Sequence, residues 1–135
     1  MAERTDSYSG SRYTAPVIFF KRAAVGTTDT ADQIIFRAPE KMIIDKAVMV
    51  TSTAYSAGDD ADQIDLVVNV AAAEAIRVNS TKLAMVAVGA VASEVGPVSV
   101  AAGALVDVDV DVTDANANLA GGTLDLYLYC RFDPS

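Results

Sequence analysis

The amino-acid sequence predicts an all-β protein built as an antiparallel sandwich or barrel. Residues 106–112 read Val-Asp-Val-Asp-Val-Asp-Val, and in a strand this alternation places the valines on one face and the aspartates on the other. A helix would scatter both residue types around its circumference. About eight short strand-like segments follow one another along the chain, separated by polar turns. No long crossover helix is predicted between them, so we expect the strands to pair antiparallel.

In the first half of the chain, a polar start precedes four predicted strands. Residues 1–14 are rich in Ser, Thr, Arg and Tyr and have no apolar period, so we expect a flexible N-terminal arm. The segment 16–21 (Pro-Val-Ile-Phe-Phe-Lys) predicts the first strand, and 33–38 predicts the second, which the following proline ends. Residues 42–54 are rich in β-branched side chains and predict one long or bent strand. The next predicted strand covers 64–72.

The second half of the chain begins with two less regular segments. Residues 71–76 contain Ala and Glu, which favour a short helical turn. The segment 82–92 is rich in alanine, but its Met-Val-Ala-Val stretch favours a strand over a helix. A Gly-Pro turn and a short strand at 98–101 come next. The last two predicted strands, at 105–113 and 123–132, have the most regular alternation.

Composition bounds the domain organisation and excludes several classes of function. The chain has 135 residues, of which 52% are hydrophobic, so we expect one β-sandwich domain over 15–135 after the arm. A net charge of -8 and a pI of about 4.3 disfavour nucleic-acid binding, because a polyanion would be repelled. No apolar run reaches the ~18 residues of a membrane span. The polar N-terminus lacks the apolar core of a secretion signal, so we expect a protein that is made and used in a cytoplasm or released by lysis.

The side chains needed for common catalytic sites are missing or isolated. The sequence has no histidine, which removes the commonest general base and most zinc and iron sites. It has no glycine-rich phosphate loop. A small hydrolase using two carboxylates is a formal alternative. The single cysteine, Cys130, follows the alternation of the apolar residues in the last strand, so we expect a buried, unreactive thiol. We therefore expect no enzyme activity and no cofactor.

The three aspartates of the alternating strand are the first candidates for metal ligands. Successive carboxylates of Asp107, Asp109 and Asp111 lie about 6.6–6.8 Å apart along a strand. Ligands to one calcium ion lie at about 2.3–2.6 Å from it, so these three need help from neighbouring loops. The pattern favours a solvated acidic face, which also discourages pairing with other sheet edges.

A second acidic segment partly matches a calcium-binding loop. In a twelve-residue calcium-binding loop that begins at Asp114, the residues Asn116 and Asn118 occupy the third and fifth positions, and Asp125 occupies the twelfth. The sixth position requires glycine for a tight turn, but this chain has Leu119 there. An Asx-rich turn is the favoured interpretation of this segment.

The last predicted strand points two tyrosines away from the core. Tyr127 and Tyr129 alternate with inward leucines, so both lie on the outer face. Exposed aromatic side chains are typical of contacts between subunits. The alternative is that a loop of the same chain covers them.

Taken together, the segments over 15–132 resemble the jelly-roll decoration (cement) and minor head proteins of tailed bacteriophages. The resemblance is carried by Pro-Val-Ile-Phe-Phe and Ile-Ile-Phe-Arg-Ala-Pro in the first strands and Lys-Ala-Val-Met-Val in the third. Near the end it is carried by Ala-Gly-Ala-Leu-Val-Asp-Val-Asp-Val and Leu-Ala-Gly-Gly-Thr-Leu-Asp-Leu. It implies a jelly-roll sandwich.

The resemblance also implies a function. Such proteins bind the outside of a phage head, commonly as trimers, and stabilise it without catalysis. The implied partners are a major capsid protein and further copies of this chain, with no nucleic acid or membrane, and the implied location is the capsid surface of the virion. The polar arm and the residues Arg12, Tyr13, Lys21 and Arg22 are the candidates for docking on the capsid.

The alternative function is a carbohydrate-binding β-sandwich module that could use calcium through the region 107–118. Sugar-binding faces usually stack on aromatic rings. The chain has no tryptophan, so Tyr127 and Tyr129 would have to serve.

Overall fold

The structure is a computed structural model that describes residues 16–26, 29–55, 63–79, 86–113 and 121–134. These residues form eight strands, and no helix occurs within the described ranges. The strands are β1 (Val17–Ala24), β2 (Thr30–Arg37), β3 (Met42–Thr53), β4 (Gln63–Val70), β5 (Ala73–Asn79), β6 (Val91–Val100), β7 (Leu105–Thr113) and β8 (Thr123–Phe132).

The strands form two four-stranded antiparallel sheets with the strand order of a jelly roll. One sheet has the order β1-β8-β3-β6 and the other β2-β7-β4-β5. Each of the pairs β1–β8, β2–β7, β3–β6 and β4–β5 joins strands equally far from the two ends of the chain. The chain is therefore arranged as one long hairpin wrapped into two layers, which is the jelly-roll arrangement. The predicted all-β, jelly-roll-like sandwich is confirmed.

The core lies between the inner faces of the two sheets. Val106, Val108 and Val110 of β7 point inward, as the alternating sequence predicts. Leu126 and Leu128 of β8 face them from the other sheet and are also buried. Each such side chain contributes about 1.5–3 kcal/mol when it is fully removed from water. This apolar layer is what holds the two sheets together.

Two predicted elements between β4 and β6 are wrong. The helical turn at 71–76 is a two-residue turn at Ala71 and Ala72 followed by strand β5. Burial of Ile76 and Val78 in the core outweighs the helix preference of the alanines. The strand expected over 82–92 is absent at 86–90, where the backbone turns and strand β6 begins only at Val91. Residues 80–85 lie outside the described ranges.

The predicted Gly-Pro turn is also wrong, because both residues lie inside β6. The short strand predicted at 98–101 is the last part of that strand, which ends at Val100. Gly96 and Pro97, joined by a cis peptide bond, sit where the pairing with β3 shifts between Ile44 and Lys46. A side chain at Gly96 would collide with the backbone carbonyl of Ile44. A proline is tolerated in β6 because this strand lies at the edge of its sheet. The Gly-Pro pair therefore marks a bulge inside a strand.

The turn between β4 and β5 contains local strain that substitution should relieve. Ala71 and Ala72 have φ angles of 51° and 67°, the left-handed region that two-residue hairpins of type I′ require. Alanine is disfavoured there by about 1 kcal/mol or more. We expect Ala71→Asn combined with Ala72→Gly to raise the free energy of unfolding by about 1 kcal/mol, measured by urea denaturation.

The matched control is Ala102→Gly in the turn between β6 and β7, where the φ angle of the alanine is not positive. We expect that variant to be slightly less stable than the wild type, since glycine adds freedom to the unfolded chain. Equal effects of both turn variants would show that strain at positions 71 and 72 is negligible.

Candidate functional site

The outward side of the β1-β8-β3-β6 sheet presents apolar side chains on all four strands, and we call this set the apolar face. Lys46 and Ser93 lie among them, because Lys46 is opposite Tyr129 and Val95, and Ser93 is opposite Val48. The register of β1 with β8 places Ile18 beside Tyr129, and Phe20 beside Tyr127. On β8 and β3, Tyr127 lies beside Val48. The apolar face comprises Ile18, Phe20, Val48, Val50, Val91, Val95, Tyr127 and Tyr129.

The most exposed members of the apolar face lie on its two edge strands. Val95 of β6 is 71% exposed and Phe20 of β1 is 49% exposed. The tyrosines of β8 are half-buried between neighbouring strands. Single exposed apolar residues are ordinary on protein surfaces, but a contiguous patch indicates an interaction site.

Ring contacts hold the aromatic part of the apolar face in place. The rings of Phe20 and Tyr127 have centroids 5.3 Å apart and are inclined by 56°. The ammonium of Lys46 lies 4.6 Å from the centroid of the Tyr129 ring, within cation–π distance. The outward position of both tyrosines agrees with the sequence alternation, whereas their role in subunit contact stays a prediction.

Phe20 belongs to the apolar face, but the sequence analysis did not select it as a site residue. Its neighbour Phe19 points inward and stacks on Phe36 of β2, with ring centroids 3.9 Å apart. Because adjacent strand residues face opposite sides, the inward position of Phe19 fixes the outward position of Phe20. The sequence Val-Ile-Phe-Phe indicates that the two phenylalanines face opposite sides of a strand. It does not indicate which of them belongs to the core.

An ion pair borders the apolar face at Arg22. The Arg22 Nε and Nη2 atoms donate hydrogen bonds to Asp125 Oδ1 and Oδ2, at 2.7 and 2.9 Å. The side chain of Asp125 is only 7% exposed, and the hydrogen bonds from Arg22 lower its pKa. The same contact raises the pKa of Arg22. Asp125 is a candidate calcium ligand in the sequence analysis. In the structure both of its carboxylate oxygens accept hydrogen bonds from Arg22.

The remaining predicted site residues are scattered. Lys21 is half-buried. It lies on the inward-facing side of β1, opposite Leu126, at the edge of the sheet. The docking candidates Arg12 and Tyr13, and the calcium candidates Asp114, Asn116 and Asn118, lie outside the described residues. Both assignments therefore stay predictions.

The outward side of the other sheet is acidic, and we call it the acidic face. Seven carboxylates and one guanidinium define it. They are Asp29, Asp32, Asp65, Glu74, Asp107, Asp109, Asp111 and Arg77. The acidic face includes a groove of about 300 Å³ whose floor is formed by Val67 and Asn69.

Arg77 of β5 neutralises the centre of the acidic face. Its Nη1 atom donates hydrogen bonds to Asp65 Oδ2 at 2.8 Å and to Asp111 Oδ2 at 2.7 Å. Its Nη2 atom donates to Glu74 Oε1 at 2.9 Å. Hydrogen bonds from Arg77 to Glu74, Asp111 and Asp65 raise the pKa of the guanidinium. Sequence analysis missed Arg77 because the segment before it was assigned to a helical turn.

Asp107 corrects the expectation of a fully solvated acidic strand face. It points outward as predicted but is only 6% exposed. The side-chain amide of Asn69 on β4 donates a hydrogen bond of 2.9 Å to Asp107 Oδ1. On the next outward position, Asp109 Oδ1 accepts a 2.7 Å hydrogen bond from the backbone N–H of Asp32. Partners on the neighbouring strands β4 and β2 therefore cover carboxylates that β7 alone would expose.

The acidic face contains one group of carboxylates close enough to share a cation. Oxygens of Asp32, Asp107 and Asp109 all lie within 4.8 Å of one another. Asp111 is not part of this group and bonds to Arg77 instead. The third carboxylate, that of Asp32, comes from strand β2, whereas the sequence analysis expected neighbouring loops to supply further ligands.

Cys130 lies in the core, as the sequence predicts. Its side chain is fully buried, and burial raises the pKa of the thiol to about 12. A thiol with this pKa is almost entirely protonated at neutral pH and is a poor nucleophile. No helix among the described residues is both long and apolar enough to span a bilayer.

Comparison with known proteins identifies a shared fold. No protein-family model matches the sequence, and no curated protein sequence matches it. The fold is similar to that of a chain in the solved structure "Cyanophage Pam1 capsid asymmetric unit", with a TM-score of 0.58 and 18% sequence identity. The similarity covers 88% of this chain and 86% of that chain. It therefore extends over most of both chains.

Removing the guanidinium of Arg77 should destabilise the protein. Asp65 is 5% exposed on its side chain and would keep a buried, uncompensated charge. We expect Arg77→Ala to lower the free energy of unfolding by about 2 kcal/mol, less than for a fully buried pair because Arg77 is partly exposed. Thermal and urea denaturation measure this change.

Two variants serve as controls for Arg77. Arg131→Ala removes an exposed pair with Asp45 and should cost below about 1 kcal/mol. The double variant Arg77→Ala with Asp65→Asn should regain part of the lost stability, since an amide has no charge to compensate. Equal losses in the single and double variants would contradict this account.

The Arg22–Asp125 pair should make stability depend on pH. The pKa of Asp125 is lower in the folded protein than the ordinary value of about 3.9, so the pair stabilises the fold fully above that pH. The stabilisation is lost as the pH falls through the lower, folded value. We expect the melting temperature of Asp125→Asn to lie below that of the wild type at pH 7.

The difference between wild type and Asp125→Asn should begin to shrink as the pH falls below about 4 and should vanish once the pH lies below the lower pKa of the folded protein, where the wild-type carboxylate is protonated. Asp45→Asn is the matched control, because Asp45 is 44% exposed in its pair with Arg131. A difference for Asp125→Asn that is constant from pH 7 to pH 2 would rule out the ion pair as its cause.

Proposed function

We propose that this chain is a structural protein of a bacteriophage virion that binds the outer surface of the capsid and stabilises it. The observation that carries the proposal is the jelly-roll fold, similar over 88% of the chain to a chain of a phage capsid structure. In this proposal the partner is the major capsid protein, the chain acts as a homotrimer, and no catalysis is involved.

The surface chemistry supports a binding role. The apolar face groups exposed aromatic and aliphatic side chains around Lys46 and Ser93, and such a mixed surface is typical of protein contacts. On the acidic face, the central carboxylates are paired with Arg77 or with the Asn69 amide. These contacts stabilise the sheet, and they leave fewer free carboxylates for acid–base chemistry.

The proposed capsid contact is the N-terminal end of the chain. The segment 1–14, with Arg12 and Tyr13, precedes β1, and β1 is an edge strand of its sheet. Lys21 on β1 has no carboxylate partner among the described residues, so its charge is available to an acidic surface. Arg22 keeps its side chain 58% exposed while it bonds to Asp125.

Labelling of intact virus particles tests the proposal. Particles are banded on a density gradient from a lysate of the culture that produces this chain, and an antibody raised against the purified chain is applied. We expect the antigen to band with intact heads and gold label to decorate their outside. Antigen found only in the unassembled fractions, or a purified chain that binds specific glycans on an array, would contradict the capsid proposal.

The N-terminal contact is tested with heads stripped of the chain. We expect the full chain to rebind as a regular array and the variant lacking 1–14 to bind at least ten-fold more weakly with an unchanged melting temperature. Lys21→Glu should weaken binding in the same assay. Lys41→Glu is the matched control, because Lys41 is 47% exposed and lies beside Asp133. Equal binding of all variants would show that the contact lies elsewhere.

A further inference from the structure

We propose that the open edge of β1 accepts an extended strand of the capsid protein, and that this strand carries a carboxylate where it faces Lys21. The inference rests on the proposed function and gives its N-terminal contact a mode of binding. The partner strand pairs with β1 and extends the β1-β8-β3-β6 sheet by one strand. Its backbone supplies hydrogen bonds, and its alternating side chains provide specificity.

Among the edge strands, β1 has the most regular pairing. The two sheets have four edge strands, which are β1, β6, β2 and β5. All eight residues of β1 pair with β8 in one unbroken register. Register shifts interrupt the pairing of β2 with β7, of β6 with β3 and of β5 with β4. A regular edge is a template for another strand, whereas bulges discourage such pairing.

The second side of β1 is open. Among the described residues, β8 is the only strand that pairs with β1. Residues of an antiparallel pair alternate in their hydrogen bonding, so about half of the backbone N–H and C=O groups of β1 point away from β8. With eight residues, β1 is longer than the usual strand of about five or six. Its open edge therefore offers about four N–H groups to a partner strand.

The outward side chains along this edge are those that an added strand covers. Ile18 and Phe20 point outward and are 51% and 49% exposed. Side chains directly opposite each other on neighbouring strands lie about 4.5–5.5 Å apart, so apolar residues of the partner strand contact both. Arg22 is the next outward residue, and its side chain is 58% exposed. The outward side of the partner strand is therefore apolar, with a polar residue beside Arg22.

Lys21 determines the chemistry of the inward side of the partner strand. It is half-buried, lies opposite Leu126, and forms no ion pair with a described residue. An inward-pointing charge on an edge strand discourages pairing with an apolar strand. A carboxylate on the incoming strand removes this penalty, because opposite charges on neighbouring strands attract. The partner strand therefore carries Asp or Glu on its inward side.

The same charges disfavour a second copy of β1 as the occupant. Two β1 strands that overlap along their length would bring Lys21 and Arg22 of one copy close to the same residues of the other. Like charges on neighbouring strands are destabilising. A capsid strand with a carboxylate meets no such repulsion. The charge on β1 thus discriminates between the two occupants.

Hydrogen–deuterium exchange of the chain rebound to stripped heads tests the inference. We expect about four amides of residues 17–24 to gain protection on binding, because their N–H groups then bond to the partner strand. Residues 91–100 of β6, at the other edge of the same sheet, should gain none. Head binding with protection at 91–100 in place of 17–24, or at neither, would overturn the inference and leave the proposed function intact. Protection of these 17–24 amides that exists in the free chain and disappears when 1–14 is deleted would also overturn it.

Phe20→Lys and Val95→Lys form a matched pair of variants. Both residues are exposed on the outward side of the same sheet, but they lie on opposite edge strands. We expect Phe20→Lys to weaken rebinding about ten-fold or more, because the introduced ammonium is covered without a partner. Val95→Lys should bind like the wild type. Circular dichroism melting reports the folding of both variants, and equal binding of the two folded variants would contradict strand addition at β1.

Zero-length cross-linking identifies the carboxylate that faces Lys21. A carbodiimide couples an amine to a carboxylate in contact with it, so peptide mass spectrometry should recover Lys21 joined to an Asp or Glu of the capsid protein. Lys21→Arg keeps the charge but has no primary amine, so it should bind like the wild type without this cross-link. Cross-links of Lys21 to other copies of this chain alone, or to no carboxylate, would overturn the inference. A wild-type chain that does not bind heads removes the proposed function and this inference with it.

Discussion

Burial of every second, apolar side chain along the central strands β3, β4, β7 and β8 is the constraint on which the structure depends. The inward residues of β7 and β8 belong to opposite sheets and meet in the core, so neither sheet can bury its inner face without the other. Because β1 pairs with β8, the first and last strands must come together before the β1-β8-β3-β6 sheet is complete. Most contacts that stabilise this fold are therefore distant in sequence.

The same alternation leaves a second set of side chains facing outward, and the two sheets use it differently. On β2-β7-β4-β5 the outward residues are polar and bond to one another around Arg77. On β1-β8-β3-β6 they are mainly aromatic and aliphatic, with Lys46 among them and the Arg22–Asp125 ion pair at the boundary. One sheet pairs most of its outward charged groups within the chain, and the other presents exposed apolar side chains. This difference supports the binding role that we propose.

Sequence reasoning predicted what depends on local alternation and missed what depends on neighbouring strands. β7 and β8 were predicted with their observed bounds, because strict alternation has no competing interpretation. β5 was missed, because the preference of alanine for helices is local and the burial of Ile76 is not. The burial of Asp107 depends on Asn69, which lies on a strand whose register with β7 no local pattern encodes. Strand order was likewise beyond the sequence, since it is decided by contacts across the whole chain.

The adjacency of β1 and β8 has a practical consequence. Val17 lies opposite Cys130, so the described chain enters and leaves the sandwich at the same end and on neighbouring strands. A short linker could join these two points without crossing the core. New termini placed in the exposed Ala71–Ala72 turn would then yield a circular permutant with every strand intact. Peptides fused directly before β1 and directly after β8 would likewise emerge from one end of the sandwich, which makes this scaffold suited to displaying two peptides side by side.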